Sequence, residues 1–230
     1  MENYIDKVLE QSIYKQEIIR LFYLNPVSDE DLKKYDEESL KRVAQYMLRI
    51  IGETPVKEII DSIESDASDI QEVTTQNIPQ YSNLDAVEKV LQIVESNPGC
   101  NYELIGYFFN KDGSKGAQSK YGENHYKTAA LLNLTTWKQP YSVTFLGKEY
   151  MQLETSVQNE TKIKLFLLVP IIQKTIIRAK YENVNMMDVL RKYLSESTAV
   201  RRRSNVKNMM DFICRSEVGL EIVETNLNWK

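Results

Sequence analysis

The sequence predicts a mainly α chain: a helical N-terminal region followed by two tandem copies of one unit, three helices closed by a small β-hairpin. Three observations predict it. Apolar residues recur at helical spacing along much of the chain. Breaks such as Asn97-Pro98-Gly99 and the turn 111–116 (Lys-Asp-Gly-Ser-Lys-Gly) separate short periodic runs. The same order of segments then occurs twice after residue 83.

Residues 1–65 read as an acidic helical region. Ile5, Val8, Leu9 and Ile13, then Ile18, Ile19, Leu21 and Phe22, recur at helical spacing until Pro26. Ser28 opens a capping sequence before Leu32. Ser39 begins a run through Leu40, Val43, Met47, Leu48 and Ile51, with Gly52 as its C-cap. Thr54-Pro55 starts a further helix through Ile63. Residues 66–82 are polar, lack periodicity and hold Pro79, which marks a linker.

The first copy spans 83–155. It comprises helices over 84–94, 101–109 and 118–134, a hairpin over 137–145, and a closing helix over 146–153; residues 141–148 resemble a common strand-to-helix step, which implies that a Thr caps the helix and a Gly relieves crowding. The second copy spans 160–230. Its helices run over 163–178, bent at Pro170, then 186–194 and 198–214, with a final hairpin around 219–225. Three helices followed by a two-stranded wing is the winged-helix arrangement.

The third helices carry the chemistry. Around 198–213, Ala199, Val206, Met210 and Ile213 share one side at 100° per residue. Arg201, Ser204, Asn205 and Asn208 lie roughly opposite, with Arg202, Arg203 and Lys207 adding cations and Ser195 or Ser197 capping the start. Cations neutralise phosphates, while Arg and Asn pair bidentately with guanine and adenine edges. Around 117–133, Lys120, Asn124 and Lys127 align opposite Gly122 and Ala129, and Lys115 lies just before. The bland alternative for each is a solvated charged face.

Charge is distributed unevenly. Residues 1–80 hold 17 acidic and 9 basic side chains, a net of −8; residues 81–230 hold 16 and 20, a net of +4, which together give the −4 of the chain. Screening confines each field to about 10 Å, so the back portion is open to phosphate.

The stretches KYGENHYKTAALLNL at 120–134 and STAVRRRSNVKNMMDFI at 197–213 resemble paired winged-helix modules of type II restriction endonucleases and related bacterial or phage proteins. The resemblance covers residues 83–225. It implies sequence-specific duplex binding, with Thr198, Arg201, Arg202, Ser204 and Asn205 at the motif positions. Met209 and Met210 depart from it, standing where such helices often carry a Trp.

The resemblance brings no nuclease with it. Such enzymes need an Asp and a Glu-x-Lys on adjoining strand ends to hold Mg²⁺. Glu160-Thr161-Lys162 has the spacing but precedes a helix. His125 is the single histidine and is expected to pack rather than catalyse; the turn at 111–116 lacks the order of a phosphate loop. Tyr102, Tyr107, Tyr121 and Tyr141 are expected between helices, and Trp137 as a hairpin anchor. Cys100 and Cys214 have no partner spacing and are read as reduced core residues of a cytoplasmic protein. No apolar run is long enough to cross a bilayer.

The sequence therefore predicts a double-stranded DNA-binding protein of a restriction, defence or regulatory setting. No catalytic activity of its own, cofactor or metal is expected, and residues 1–65 offer a protein-partner or homodimer surface. Two alternatives stay open: a winged-helix protein-interaction module that ignores DNA, and the specificity part of a type II restriction endonuclease.

Overall fold

The computed structural model describes residues 8–9, 34–65, 72–75, 78–80, 84–214, 220–223 and 226–229. The helices expected over 5–13 and 18–22 and the cap at Ser28 lie outside the described residues, apart from Val8, which is buried, and Leu9, which packs against the core. The fold is mainly α. The described helices are α1 (Glu37–Glu53), α2 (Val56–Ser65), α3 (Ala86–Ser96), α4 (Tyr102–Tyr107), α5 (Lys115–Leu131), α6 (Phe145–Tyr150), α7 (Thr155–Leu167), α8 (Pro170–Ala179), α9 (Met186–Arg191) and α10 (Glu196–Cys214). Three short strands are described: β1 (Val184–Asn185), β2 (Leu220–Val223) and β3 (Asn226–Trp229).

Local chemistry sets most boundaries. The carboxylate of Asp36, three residues before the expected start at Ser39, accepts from the Ser39 N–H at 2.7 Å and begins α1. That bond holds the Asp36 carboxyl below the usual carboxylate value. At the other end Gly52 stays helical, and Thr54 is the C-cap. Asn101, Ser114, Thr144 and Asn185 cap α4, α5, α6 and α9 through their side-chain oxygens.

Pro170 does more than bend a helix. Its ring disfavours helical backbone at the residue before it, and Val169 is extended (φ −71°, ψ 127°). The helix expected over 163–178 is therefore two helices, α7 ending at Leu167 and α8 starting at Pro170. A second departure concerns the hairpin expected over 137–145. It is reduced to a single antiparallel bridge, Thr135 to Val143, and the loop it closes is gathered on Thr136 Oγ1, whose one proton lies between the carbonyls of Lys138 (3.1 Å) and Pro140 (3.3 Å) and which accepts from Ser142 N–H (3.2 Å).

The two stretches expected to be copies of one unit are thus built differently. In the first, α4 and α5 cross so closely that backbone meets backbone at Gly106 and Gly122. A Cβ on Gly106 would lie 1.7 Å from the Gln118 carbonyl oxygen, and one on Gly122 1.9 Å from that of Tyr102. In the second, α8 leads through β1 to α9 and α10, and β2 and β3 follow. The sheet has the order β1-β3-β2, all antiparallel, with Val184 and Ile222 both registered on Leu227.

One continuous core runs through the N-terminal helices and both copies, and it takes in Val73 and Ile78 of the expected linker. Helix α7 sits at its centre, against α1, α2, α8 and α10. It carries two lysines that are almost wholly buried. A buried ammonium needs a partner for each proton it presents. Lys164 finds the Gly52 carbonyl at the end of α1 (2.5 Å) and Glu160 (2.7 Å). Lys162 reaches Glu88 on α3 (2.9 and 3.2 Å) and the Leu84 carbonyl (3.2 Å), while the Tyr150 hydroxyl donates to the same Glu88 at 2.6 Å.

Candidate nucleic-acid interface

Helix α10 is held at its start by its neighbour. Arg191, in the last turn of α9, makes a two-pronged pair with Glu196 (Nε and Nη2, both 2.8 Å) and a further bond to Asp188 (3.2 Å). These bonds bridge the turn between α9 and α10. Ser195 does not cap through its side chain as expected: its hydroxyl donates to Thr198 Oγ1 at 3.0 Å, and its backbone carbonyl accepts from the Thr198 and Ala199 N–H groups. Ala199, Val206, Met209, Met210 and Ile213 are buried, which is the expected stripe with Met209 added.

The outer face divides into an open part and an occupied part. Arg201, Arg203, Ser204 and Asn208 are exposed, and Arg201 is steadied by Thr198 Oγ1 at 3.3 Å. Arg202 and Asn205 are only partly exposed. The Arg202 guanidinium donates to the Gln80 carbonyl (3.2 Å) and the Asn205 amide to that of Pro79 (3.4 Å). Burial, with Arg201 beside it, pushes Arg202 below the ordinary guanidinium value, while the Glu123 carboxylate acts in the opposite sense. Lys207 pairs with Asp211 one turn on (2.5 Å).

On α5 the cations are neutralised locally. Glu123 takes Lys120 and Lys127, each at 2.6 Å, and these bonds hold its carboxyl below the usual range. Lys115, at the helix start, lies 3.7 Å from Glu103. Asn124 is partly buried, its side-chain oxygen without a hydrogen-bond partner among the described residues. Glu123 was legible at i+3 and i−4 from the two lysines. The hold of residues 79 and 80 on α10 had no sequence signal, since backbone carbonyls from a distant segment leave no side-chain trace.

The other chemistry weighed in the sequence resolves into packing. His125 is buried, stacked on Phe109 (centroids 4.0 Å) and against Tyr121 (5.5 Å), with Nδ1 2.7 Å from the Tyr121 carbonyl oxygen; burial lowers its pKa. Tyr102 stacks on Tyr141 (centroids 4.5 Å) with Tyr126 tilted against both, whereas Tyr107, Tyr121 and Trp137 stay substantially exposed. Glu160 and Lys162 turn to different partners, Lys164 and Glu88. Among the described residues there is no cluster of three metal-ligating side chains, and no helix is long and apolar enough to cross a membrane. Cys100 and Cys214 are not joined in a disulfide; Cys100 is buried and Cys214 partly so.

No family model, curated protein or solved structure matches this chain.

Proposed function

We propose that the chain binds double-stranded DNA through a winged-helix unit made of α8, β1, α9, α10 and the β2–β3 hairpin, with the outer face of α10 laid against the major groove. The observation that carries this reading is the exposed row Arg201, Ser204 and Asn208, with Arg203 beside it, on the third helix of a unit closed by a hairpin. Arginine and asparagine there are suited to phosphates and purine edges alike. The first copy would act as a second helix-turn-helix whose charge is held in check by Glu123.

The test is a titration with a randomised duplex pool at low and near-physiological salt, Mg²⁺ present and product sizes checked. Enrichment of one motif is expected, with affinity falling steeply as salt rises. Arg201→Ala should weaken binding to that motif by ~1–3 kcal/mol without lowering thermal stability. Unchanged affinity in that variant would remove α10 from the interface. Cleaved product would restore the nuclease alternative.

Glu123→Gln gives an independent handle. It releases Lys120 and Lys127, so duplex affinity should rise and the log–log salt slope should steepen by roughly one to two phosphate equivalents. A slope identical to that of the parent protein would leave α5 out of any DNA contact. That outcome would favour the protein-interaction reading for the first copy, whose α4 and α5 expose Leu104, Tyr107 and Tyr121, with Phe108 exposed just after α4.

A further inference from the structure

We propose that residues 78–80 form a built-in competitor for the DNA-contacting face of α10, a strap that must let go of Arg202 and Asn205 before that face is fully available. The inference rests on the duplex-binding reading above and adds regulation to the same site.

The strap is anchored on one side and weakly held on the other. Ile78 is fully buried and Pro79 is buried beside it, so the segment is pinned by apolar contact. Its two grips on α10 are long: 3.2 Å from Arg202 to the Gln80 carbonyl and 3.4 Å from Asn205 to the Pro79 carbonyl. Bonds of that length lie at the weak end of the hydrogen-bonding range. Both donors belong to residues placed at the motif positions of the recognition helix.

The electrostatics favour exchange. Arg202 is a partly desolvated cation whose hydrogen-bond partner in the fold is a neutral carbonyl. A phosphate would offer the guanidinium two charge-assisted bonds in place of one neutral one. The released carbonyls of Pro79 and Gln80 would be repaid by water. The Asn205 amide, once free, can pair with an adenine edge. Both grips of the strap on α10 end on neutral backbone carbonyls, and the Glu123 carboxylate, which acts on Arg202 through space, is itself paired with Lys120 and Lys127.

The experiment loosens the anchor and leaves α10 intact. Ile78→Ala and the parent protein are titrated with one short labelled duplex at low salt, after thermal melts establish that both are folded. If the strap covers α10 for 70–90% of the time, releasing it raises apparent affinity about three- to tenfold. Adding Arg202→Ala to Ile78→Ala should remove most of that gain. Equal affinity of Ile78→Ala and parent overturns the strap while leaving duplex binding in place. No binding by either protein overturns both. Should Ile78→Ala fail to fold, the parent protein alone decides: hydrogen exchange at the Gln80 amide is expected to accelerate on adding duplex, and an unchanged rate overturns the proposal.

Discussion

Replacing Lys162 by Met should lower stability by about 3 kcal/mol, the lower end of what removing one partner of a buried ion pair costs. The lysine side chain is 1% exposed and its partner Glu88 is 23% exposed. Met fills most of the volume, so packing is largely kept. What is lost is the cation that compensates Glu88 and the Leu84 carbonyl, leaving the carboxylate with the Tyr150 hydroxyl and a limited view of water. That view of water is why the lower figure applies. For a chain of this size the thermal midpoint should fall by roughly 10 °C. The pairwise variant Glu88→Leu with Lys162→Met should recover most of the loss, because the desolvation cost of both charges disappears together. A single variant that melts like the parent would mean that the ammonium is hydrated in solution. The same node has a pH signature. Burial and the adjacent Glu88 push the Tyr150 hydroxyl well above its ordinary value of 10.0. A phenol held protonated in the folded state contributes in full below that ordinary value. The contribution is lost as pH rises above it, so alkaline melts should show a steep decline that Tyr150→Phe flattens.

Replacing Gly122 by Ala should be at least as damaging, by ~3 kcal/mol or more. The added methyl would sit 1.9 Å from the Tyr102 carbonyl oxygen and 2.7 Å from the Gly106 nitrogen. Neither is the movable end of a side chain. The helices α4 and α5 must part, and the Tyr102, Tyr126 and Tyr141 cluster behind them must part too. Gly116, in the first turn of the same α5, is the control, since a methyl there meets nothing within 4 Å. Gly116→Ala should be neutral or stabilising by up to about 1 kcal/mol, the helix-propensity difference. Equal stability of the two variants would deny the close crossing.

Much of this architecture was readable because it is written in local chemistry. Thr144 and Gly147 show this well. The threonine was expected to cap and the glycine to relieve crowding; Thr144 Oγ1 accepts from the Gly147 N–H at 3.0 Å, and a Cβ on Gly147 would lie 2.2 Å from the Leu134 carbonyl oxygen. The stripe of α10 was legible for the same reason, a helical period with one apolar side. Pro170 was seen but undervalued, because a kink and a restart have the same sequence signature and only packing of α7 and α8 separates them. The reduced first hairpin was not legible: its loop is gathered on one threonine hydroxyl, a contact that no period encodes. For the candidate interface, the residue types on α10 and α5 were legible and their engagement was not. Arg202 lies within about 40° of the centre of the buried stripe at 100° per residue, near enough for a neighbouring segment to cover it. Which segment does so is a long-range fact.

The buried pair between Lys162 and Glu88 spans the boundary between the two copies, and α7 packs against both the N-terminal helices and α10. Joined in this way, the helix pairs α4–α5 and α9–α10 share one continuous core, and on the duplex-binding proposal they would act as a single block. Two reading heads on a tether can follow a target whose halves are moved apart by a base pair; two heads cast in one block cannot. A duplex gripped by both α5 and α10 would have to present its contacts at one fixed spacing and one fixed rotation about its axis. Inserting a single base pair between the halves would then cost the protein one of its two grips.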